Sequence, residues 1–248
     1  MEQTNYSVRP REHALESIQA YIIREGLQPG DRLPAERDMC QMWGLNRSTL
    51  RSAVTRLIRS GLLEARRGAG LFYIGPKYQR KLQGLKSFQV ETSLQSRAYD
   101  SRLLALEQIE SDRRLSQAFQ TVLGTRLWHL SRLRLAEGKP LELESSYFLA
   151  DRFTHIDRFD FTRDSLYRVF EEEYGVIPTR GEERITATRA GEEAELLEIG
   201  QEAPIFRIES KTYDQEGGFL EYCRAVARPD RVELVSRLES IPVEVNEA

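Results

Sequence analysis

Two arginines and two glutamates alternate along what read as two neighbouring strands. Arg132 and Arg134 lie two residues apart on the first, and Glu142 and Glu144 lie two apart on the second. Side chains two apart on a strand share a face, so each pair points the same way. Two converging guanidinium groups suit a carboxylate or a phosphate. The pattern also fits a cross-strand ladder of surface Arg–Glu pairs, which would contribute little, and the residues alone leave both interpretations open.

A second group of arginines lies near the start of the chain. Arg37, Arg47 and Arg51 are spread over two predicted helices that a short turn would join. Arginine is the side chain best suited to the paired acceptors on a guanine edge, and such a turn allows the second helix to enter the major groove. Each arginine taken alone also fits a solvated surface charge.

The charge of the chain is divided unevenly along its length. The formal net charge is −3, but residues 1–86 contain 15 Lys and Arg against 8 Asp and Glu, a balance of +7. The remaining residues carry −10. A basic N-terminal part joined to an acidic remainder indicates that one part meets an anionic polymer and the other does not.

The elements that would position the first arginine group are three helices and a hairpin. Apolar residues at helical spacing predict helices over residues 10–25, 35–43 and 47–60. Asn46 can cap the third by accepting a backbone N–H. Short strands are predicted over 62–66 and 71–74, with Gly68-Ala69-Gly70 between them. This order predicts a winged helix-turn-helix domain over residues 1–75.

The remainder of the chain has a different pattern. Residues 76–86 are polar and basic and are interpreted as a linker. Residues 87–248 then form a second domain, with turns at 137–140 and 215–218 that would join adjacent strands. Strands are predicted over 103–109, 125–135, 141–148, 181–188, 205–213 and 219–226, and helices over 112–119, 165–174 and 192–199. Hairpins with a few helices predict an α+β domain on an antiparallel sheet.

The sequence contains no motif of a common catalytic class. HExxH, GxSxG, P-loop and GxGxxG patterns are absent, and the three histidines form no recognisable constellation. We therefore expect no metal and no cofactor. No apolar run is long enough to span a bilayer, the N-terminus lacks the apolar core of a signal peptide, and the two cysteines are far apart. A cytoplasmic location without membrane contact is expected.

The first domain resembles a known family over nearly its whole length. The stretches GDRLPAER at 30–37 and NRSTLR at 46–51, then Leu57, GLL at 61–63 and GAG at 68–70, closely resemble the GntR family of bacterial transcription regulators. The resemblance implies that Arg37 and Arg47 contact bases and that Ser48, Thr49 and Arg51 contact phosphates or flanking bases. It places Arg67 and Gly68 at the wing tip, near the minor groove. Asn46 stands where the family often has Ser or Thr.

The second domain also resembles a known type. RLR at 132–134, EGKPLELESSY at 137–147, SLY at 165–167, EY at 221–222 and RPDR at 228–231 resemble the UTRA effector domain of the HutC subfamily, from about residue 85 to 238. That resemblance implies a chorismate-lyase-like α+β fold and a pocket for a small metabolite, often a phosphorylated sugar. Its implied ligand-binding residues are Ser87, Phe88, Arg132, Arg134, Glu144, Ser165, Tyr167, Glu221 and Arg228.

These residues have separate implied roles. Arg132 and Arg134 would hold the anionic group, and Glu144, Glu221 and Arg228 would bind hydroxyls or an amine. Ser165 and Tyr167 would add donors at a helix start, and Ser87 and Phe88 would line the anion end. Tyr167 equally fits a packed core aromatic.

The expected function is that of a homodimeric, ligand-responsive repressor on a palindromic operator. Two-fold symmetry in the protein would be mirrored in the DNA site, and a small anionic metabolite such as a sugar phosphate would release the repressor. Two alternatives stay open: a lyase-like enzyme activity in the second domain, and an amino acid or other carboxylate as effector. A purely structural role would leave the Arg132/Arg134 pair unexplained.

Overall fold

The computed structural model of the chain describes residues 10–82 and 99–236. The chain divides into two compact units, Met1–Tyr78 and Gln79–Ala248. The first unit contains three helices and a two-stranded antiparallel sheet. They are α1 (Pro10–Arg24), α2 (Glu36–Trp43), α3 (Arg47–Arg59), β1 (Leu63–Arg66) and β2 (Gly70–Tyr73). The winged helix-turn-helix predicted from the sequence is therefore confirmed.

The helices of the first unit pack around one apolar core. Ile18 of α1, Met39 of α2 and Leu50 of α3 are all fully buried there. Gly44 ends α2 with φ 63°, a conformation that favours glycine. Asn46 then caps α3, because its side chain accepts a hydrogen bond of 2.8 Å from the Thr49 backbone N–H. These local signals fix where the second helix of the motif ends and the third begins.

The second unit is built on a six-stranded antiparallel sheet. Its elements are β3 (Tyr78–Lys81), β4 (Tyr99–Glu110), α4 (Arg113–Phe119), β5 (Arg126–Ala136), β6 (Lys139–Leu149), α5 (Leu166–Tyr174), β7 (Pro178–Arg189), β8 (Pro204–Asp214), β9 (Phe219–Ala227) and β10 (Val232–Val235). The strand order is β4-β5-β6-β9-β8-β7, and β3 pairs separately with β10. The α+β fold class predicted from the sequence is confirmed.

One face of this sheet carries an apolar cluster beside a group of charged residues. Trp128 and Leu130 on β5 and Phe148 on β6 are buried with Phe153 and with Phe170 of α5. Strand alternation places Arg132, Arg134, Glu142 and Glu144 further along the same face of β5 and β6. The charged group therefore lies against a packed apolar layer rather than in bulk solvent.

Two parts of the second unit differ from the sequence prediction. The helix expected over 192–199 is a single 3-10 turn at Gly191–Ala194, and Glu198 has φ 53°. Burial of Ala194 and Leu197 against Leu133 and Val226 holds this turn where the chain enters β8. Strand β3 lies within the segment predicted as a linker, and its partner β10 was also not predicted.

The described part of the chain shows neither a membrane-spanning helix nor a grouped set of metal ligands. No helix in residues 10–82 or 99–236 combines the length and apolar content that a bilayer crossing requires. Within the same ranges, no three His, Cys, Asp or Glu side chains are grouped so that they would hold a metal ion.

Candidate DNA-binding surface and effector site

The residues expected to read DNA lie on the solvent side of α2 and α3. Arg47, Ser48 and Arg51 are exposed on the first turns of α3, and Arg37 is exposed on α2. Thr49 is half-buried, and its backbone N–H is used by the Asn46 cap. The Ser48 hydroxyl donates to the same Asn46 oxygen at 2.8 Å, so it must turn away from the cap before it donates to a phosphate.

Glu36 holds two of these arginines and was not singled out from the sequence. Its Oε2 atom lies 2.9 Å from Arg51 Nε and 3.7 Å from Arg47 Nε. Glu36 begins α2, so this carboxylate joins the two helices of the motif. Arg47 and Arg51 are 74% and 60% exposed, and the glutamate restrains two side chains that would otherwise move freely in solvent.

Glu36→Gln should reduce DNA discrimination without preventing DNA binding. The change frees Arg47 and Arg51 and removes one negative charge from the surface that these two arginines occupy. Exposed ion pairs contribute about 0.2–1 kcal/mol, so the ratio of operator to random-DNA affinity should fall by up to about five-fold. The measurement is fluorescence anisotropy with a duplex selected by the wild-type protein and with a scrambled duplex.

Asp38→Asn provides the matched control for this prediction. Asp38 is exposed in the same first turn of α2, so the control removes the same charge but leaves Glu36 in place. Equal changes in the affinity ratio for the two variants would show that Glu36 acts only through charge.

The wing tip is the turn between β1 and β2. Arg67 and Gly68 are both exposed there, and the Ala69 N–H donates to the Arg66 carbonyl at 3.0 Å. Gly68 has φ 74°, and no atom lies close to the position that a Cβ would occupy. The backbone conformation at position 68, rather than lack of space, therefore favours glycine there.

In the second unit, Arg132 and Arg134 converge on one carboxylate. Glu144 lies opposite Arg132 on the neighbouring strand, and it forms ion pairs with Arg132 through Oε1 and with Arg134 through Oε2, the latter at 2.9 Å. Arg134 also donates to the Ser101 hydroxyl of β4 at 2.6 Å. Because Arg132 is 3% exposed and Arg134 7%, the group is not the exposed surface ladder considered above.

Arg132 retains donor capacity in this arrangement. Its Nε and Nη1 atoms are buried and have no hydrogen-bond partner among the described residues. Burial disfavours the charged form of Glu144, but Arg132 and Arg134 outweigh it and hold the pKa of that carboxyl well below its usual range. Glu144 is therefore ionised and pairs with both arginines, while the Nε and Nη1 donors of Arg132 remain open to a further acceptor.

A second part of this group is formed by Glu221 on β9. Tyr167 of α5 donates to Glu221 at 2.7 Å, and the tyrosine hydroxyl also lies 3.1 Å from the Thr212 hydroxyl. Ser146 is fully buried and hydrogen-bonds to Glu221 and, at 3.5 Å, to Glu144. We call Arg132, Arg134, Glu144, Tyr167 and Glu221, which Ser146 connects, the polar cluster.

The two carboxyl groups of the polar cluster, Glu144 and Glu221, have pKa values shifted in opposite directions. Burial raises the pKa of the Glu221 carboxyl, and the hydrogen bonds from Ser146 and Tyr167 only partly offset this. Burial, together with the nearby Glu221, also raises the pKa of the Tyr167 hydroxyl well above its usual value. The cluster therefore combines a cationic end at Arg132 with a hydrogen-bonding end at Glu221 and Tyr167.

The structure does not bring every predicted ligand residue into the polar cluster. Ser165 caps α5 by accepting from the Arg168 N–H at 3.4 Å. The Arg228 guanidinium donates to both carboxylate oxygens of Asp230 and to the Leu197 carbonyl, so all its nitrogens are engaged outside the cluster. Ser87 and Phe88 lie outside the described residues.

Several contributing residues were missed, although some had a signal in the sequence. Ser146 lies two positions after Glu144, so alternation alone would have placed it on the same face. Ser101 and Thr212 could not be found in this way. Ser101 pairs in register with Arg134 and Thr212 with Glu221, across strand pairs that only the folded sheet defines.

A winged helix-turn-helix with exposed arginines, joined to an α+β unit with a buried polar cluster, defines a DNA-binding regulator with a sensor domain. Residues 10–72 match the gntR family of bacterial regulatory proteins, and residues 94–233 match the UTRA domain. The chain belongs to the gntR family and carries a UTRA domain. It is a transcription regulator and not an enzyme.

Similar proteins agree with this assignment, and a solved structure shares the fold. The HTH-type transcriptional repressor NagR of Bacillus subtilis (strain 168) is 31% identical over 92% of this chain and 93% of its own length. The mannosyl-D-glycerate transport/metabolism system repressor MngR of Escherichia coli (strain K12) is 30% identical over 86% of this chain and 89% of its own length. The crystal structure of PhnF from Mycobacterium smegmatis aligns with TM-score 0.68 at 24% identity, covering 91% of this chain and 99% of that one.

Proposed function

We propose that the chain is a repressor that a small anionic metabolite, such as a sugar phosphate, releases from a palindromic operator. Members of its family bind operator DNA and small-molecule effectors. The relatives NagR and MngR are both named repressors, which favours repression over activation. The proposal includes a homodimer joined mainly through residues 87–248, a connection between the two units that contains β3, and a cytoplasmic location.

The observation that carries the anionic effector is the buried guanidinium of Arg132. Unpaired buried donors are costly, and two nitrogens of Arg132 have no partner among the described residues. A phosphate or carboxylate oxygen would satisfy them with charge-assisted hydrogen bonds. Glu144 occupies the other side of the two arginines, so the open donors of Arg132 suit one anionic group on the ligand.

The opposite end of the polar cluster supports a hydroxyl-bearing or amine-bearing ligand. Glu221 and the Tyr167 hydroxyl, whose proton is donated to Glu221, offer acceptors beside apolar Phe170. A sugar phosphate carries an anion and hydroxyls on one small frame. MngR and a relative from Escherichia coli (strain K12) named "Probable fructoselysine utilization operon transcriptional repressor" are both named after sugar conjugates. An amino acid is the second candidate, since its ammonium group would bind Glu221.

Ligand screening by thermal shift tests the effector class. We would scan the full-length protein against hexose phosphates, inorganic phosphate, amino acids and neutral sugars. A ligand that binds the folded state raises the transition temperature in a concentration-dependent way. We expect stabilisation by one or more sugar phosphates but not by the matching neutral sugars. Stabilisation by amino acids alone would replace the sugar phosphate with the second candidate.

Operator DNA and the effector should weaken each other by the same factor. Coupling between two sites is reciprocal for binding free energies and typically amounts to about 5–150-fold. The compound identified by screening should therefore lower operator affinity, and operator DNA should lower the affinity for that compound equally. Calorimetry with and without operator, beside anisotropy with and without compound, measures the two factors. A ligand affinity that is indifferent to operator DNA would refute the release mechanism.

A further inference from the structure

Arg80 attaches strand β3 to the polar face of the main sheet. Its Nη2 atom lies 2.6 Å from Glu183 Oε1 on β7, and its Nη1 atom lies 3.3 Å from Glu142 Oε1 on β6. Glu183 also accepts from the Ser210 hydroxyl at 3.0 Å. The Arg80 side chain is 22% exposed and that of Glu142 only 3%. This is therefore a largely buried ion pair within the second unit, in the segment that follows the DNA-binding unit along the chain.

Glu142 lies between this attachment and the polar cluster. It stands opposite Arg134 in the β5–β6 register and two residues before Glu144. Burial raises the pKa of the Glu142 carboxyl, while Arg80 and Arg134 both oppose that change. Its Oε2 atom is buried and has no hydrogen-bond partner among the described residues. Arg80 of β3 and Arg134 of the polar cluster thus both favour the charged form of Glu142, against burial and the nearby Glu144 and Glu183.

We propose that Arg80 is a positioning residue that transmits the state of the polar cluster to strand β3 through Glu142. This inference rests on the proposed function and names how the effector site would reach the DNA-binding unit. An anion bound at Arg132 and Arg134 offsets the attraction of Arg134 for Glu142, so Glu142 then depends on Arg80. The strength with which β3 is held to the sheet changes with the occupancy of the cluster.

The neighbouring residues of β3 offer a comparison for Arg80. Lys81 is exposed and, by strand alternation, points away from the face that carries Arg80. Other hydrogen bonds also attach this strand: the Leu82 N–H donates to the Val235 carbonyl at 2.9 Å, and the Gln79 side chain donates to Glu233 at 3.3 Å. Lys81→Gln removes the same charge from the same strand without touching Glu142.

A double-mutant cycle on operator affinity tests the proposal without a known ligand. We would measure a selected operator duplex with the full-length wild type, Arg80→Gln, Arg134→Gln and the double variant. Arg134→Gln should change operator affinity by about five-fold or more when Arg80 is present. The same change should have an effect of less than about two-fold in the Arg80→Gln background. Lys81→Gln should leave the effect of Arg134→Gln intact, and Arg80→Lys, which keeps the charge, should preserve it.

Additive effects would overturn the proposal, as would an Arg134→Gln variant with unchanged operator affinity. Circular dichroism checks that each variant folds, and Glu144→Gln replaces Arg134→Gln if that variant does not fold. Hydrogen exchange at the Leu82 amide provides a second readout and should change in the Arg134→Gln variant but not in the double variant. The two variants could have additive effects on operator affinity while a sugar phosphate still weakens operator binding. That result would reject the role of Arg80 and leave the proposed function intact.

Discussion

Glu144→Ala should destabilise the second unit strongly and make its stability depend on anions. The substitution leaves Arg132 and Arg134 buried without the carboxylate that both of them contact. Removing one partner of a buried charge group costs about 3–5 kcal/mol in other proteins. An added anion can occupy the position that the carboxylate leaves, so phosphate should restore part of the lost stability, whereas in the wild type Glu144 already offsets the charge.

The measurement is chemical denaturation of the wild type and Glu144→Ala over a phosphate series, with chloride at matched ionic strength. Phosphate should raise the free energy of unfolding more in the variant than in the wild type. Asp151→Ala serves as control, because it breaks the exposed 2.7 Å pair between Asp151, just after β6, and Arg126 at the start of β5, and exposed pairs contribute little. A phosphate response equal in all three proteins would rule out an anion site at Arg132 and Arg134.

Arg47→Ala should remove about 1–3 kcal/mol of specific operator binding while affinity for random DNA falls less. Arg47 is the first residue of α3. Its side chain is exposed, and its Nε atom lies 3.7 Å from Glu36 Oε2, a long distance for an ion pair. An arginine in this position can reach the paired acceptors of a guanine. Loss of a base contact therefore lowers discrimination, in addition to the loss of one positive charge near phosphates.

Arg59→Ala separates these two effects. Arg59 is exposed in the last turn of the same helix, so the control loses the same charge far from the helix start. Anisotropy at several salt concentrations, with operator and scrambled duplexes, measures specificity and salt dependence together. Unchanged operator affinity for Arg47→Ala, or equal losses on both duplexes, would remove Arg47 from the base-contacting set.

The local features of the chain could be predicted because short-range interactions decide them. Asn46 caps α3 as its position before the helix implied, and the helices and wing strands of the first unit lie within one or two residues of the predicted bounds. Alternation also placed Arg132 and Arg134 on one face of the sheet, with Glu142 and Glu144 on the same face of the neighbouring strand. Each of these features depends on neighbours a few residues away in sequence or across one hairpin.

The prediction was wrong where packing overrode local preference. Residues 192–199 have a helical pattern, yet burial of Leu197 and the left-handed backbone of Glu198 end the segment after one turn. Residues 78–81 read as polar linker, but Arg80 meets Glu142 and Glu183, 62 and 103 positions further on. A polar strand whose partners are so distant leaves no periodic signal in its own sequence.

The sequence by itself determined that this protein has a winged helix-turn-helix with arginines on its second and third helices, followed by an α+β domain. It also determined which charged side chains share a strand face, since that follows from alternation. Only the tertiary structure decided which charges pair: Glu144 forms ion pairs with Arg132 and Arg134, and Glu142 forms one with Arg80. The strand order β6-β9-β8 brings Glu221 and Thr212 to the same face. Such pairings depend on register between distant strands and on burial, which local sequence patterns do not encode.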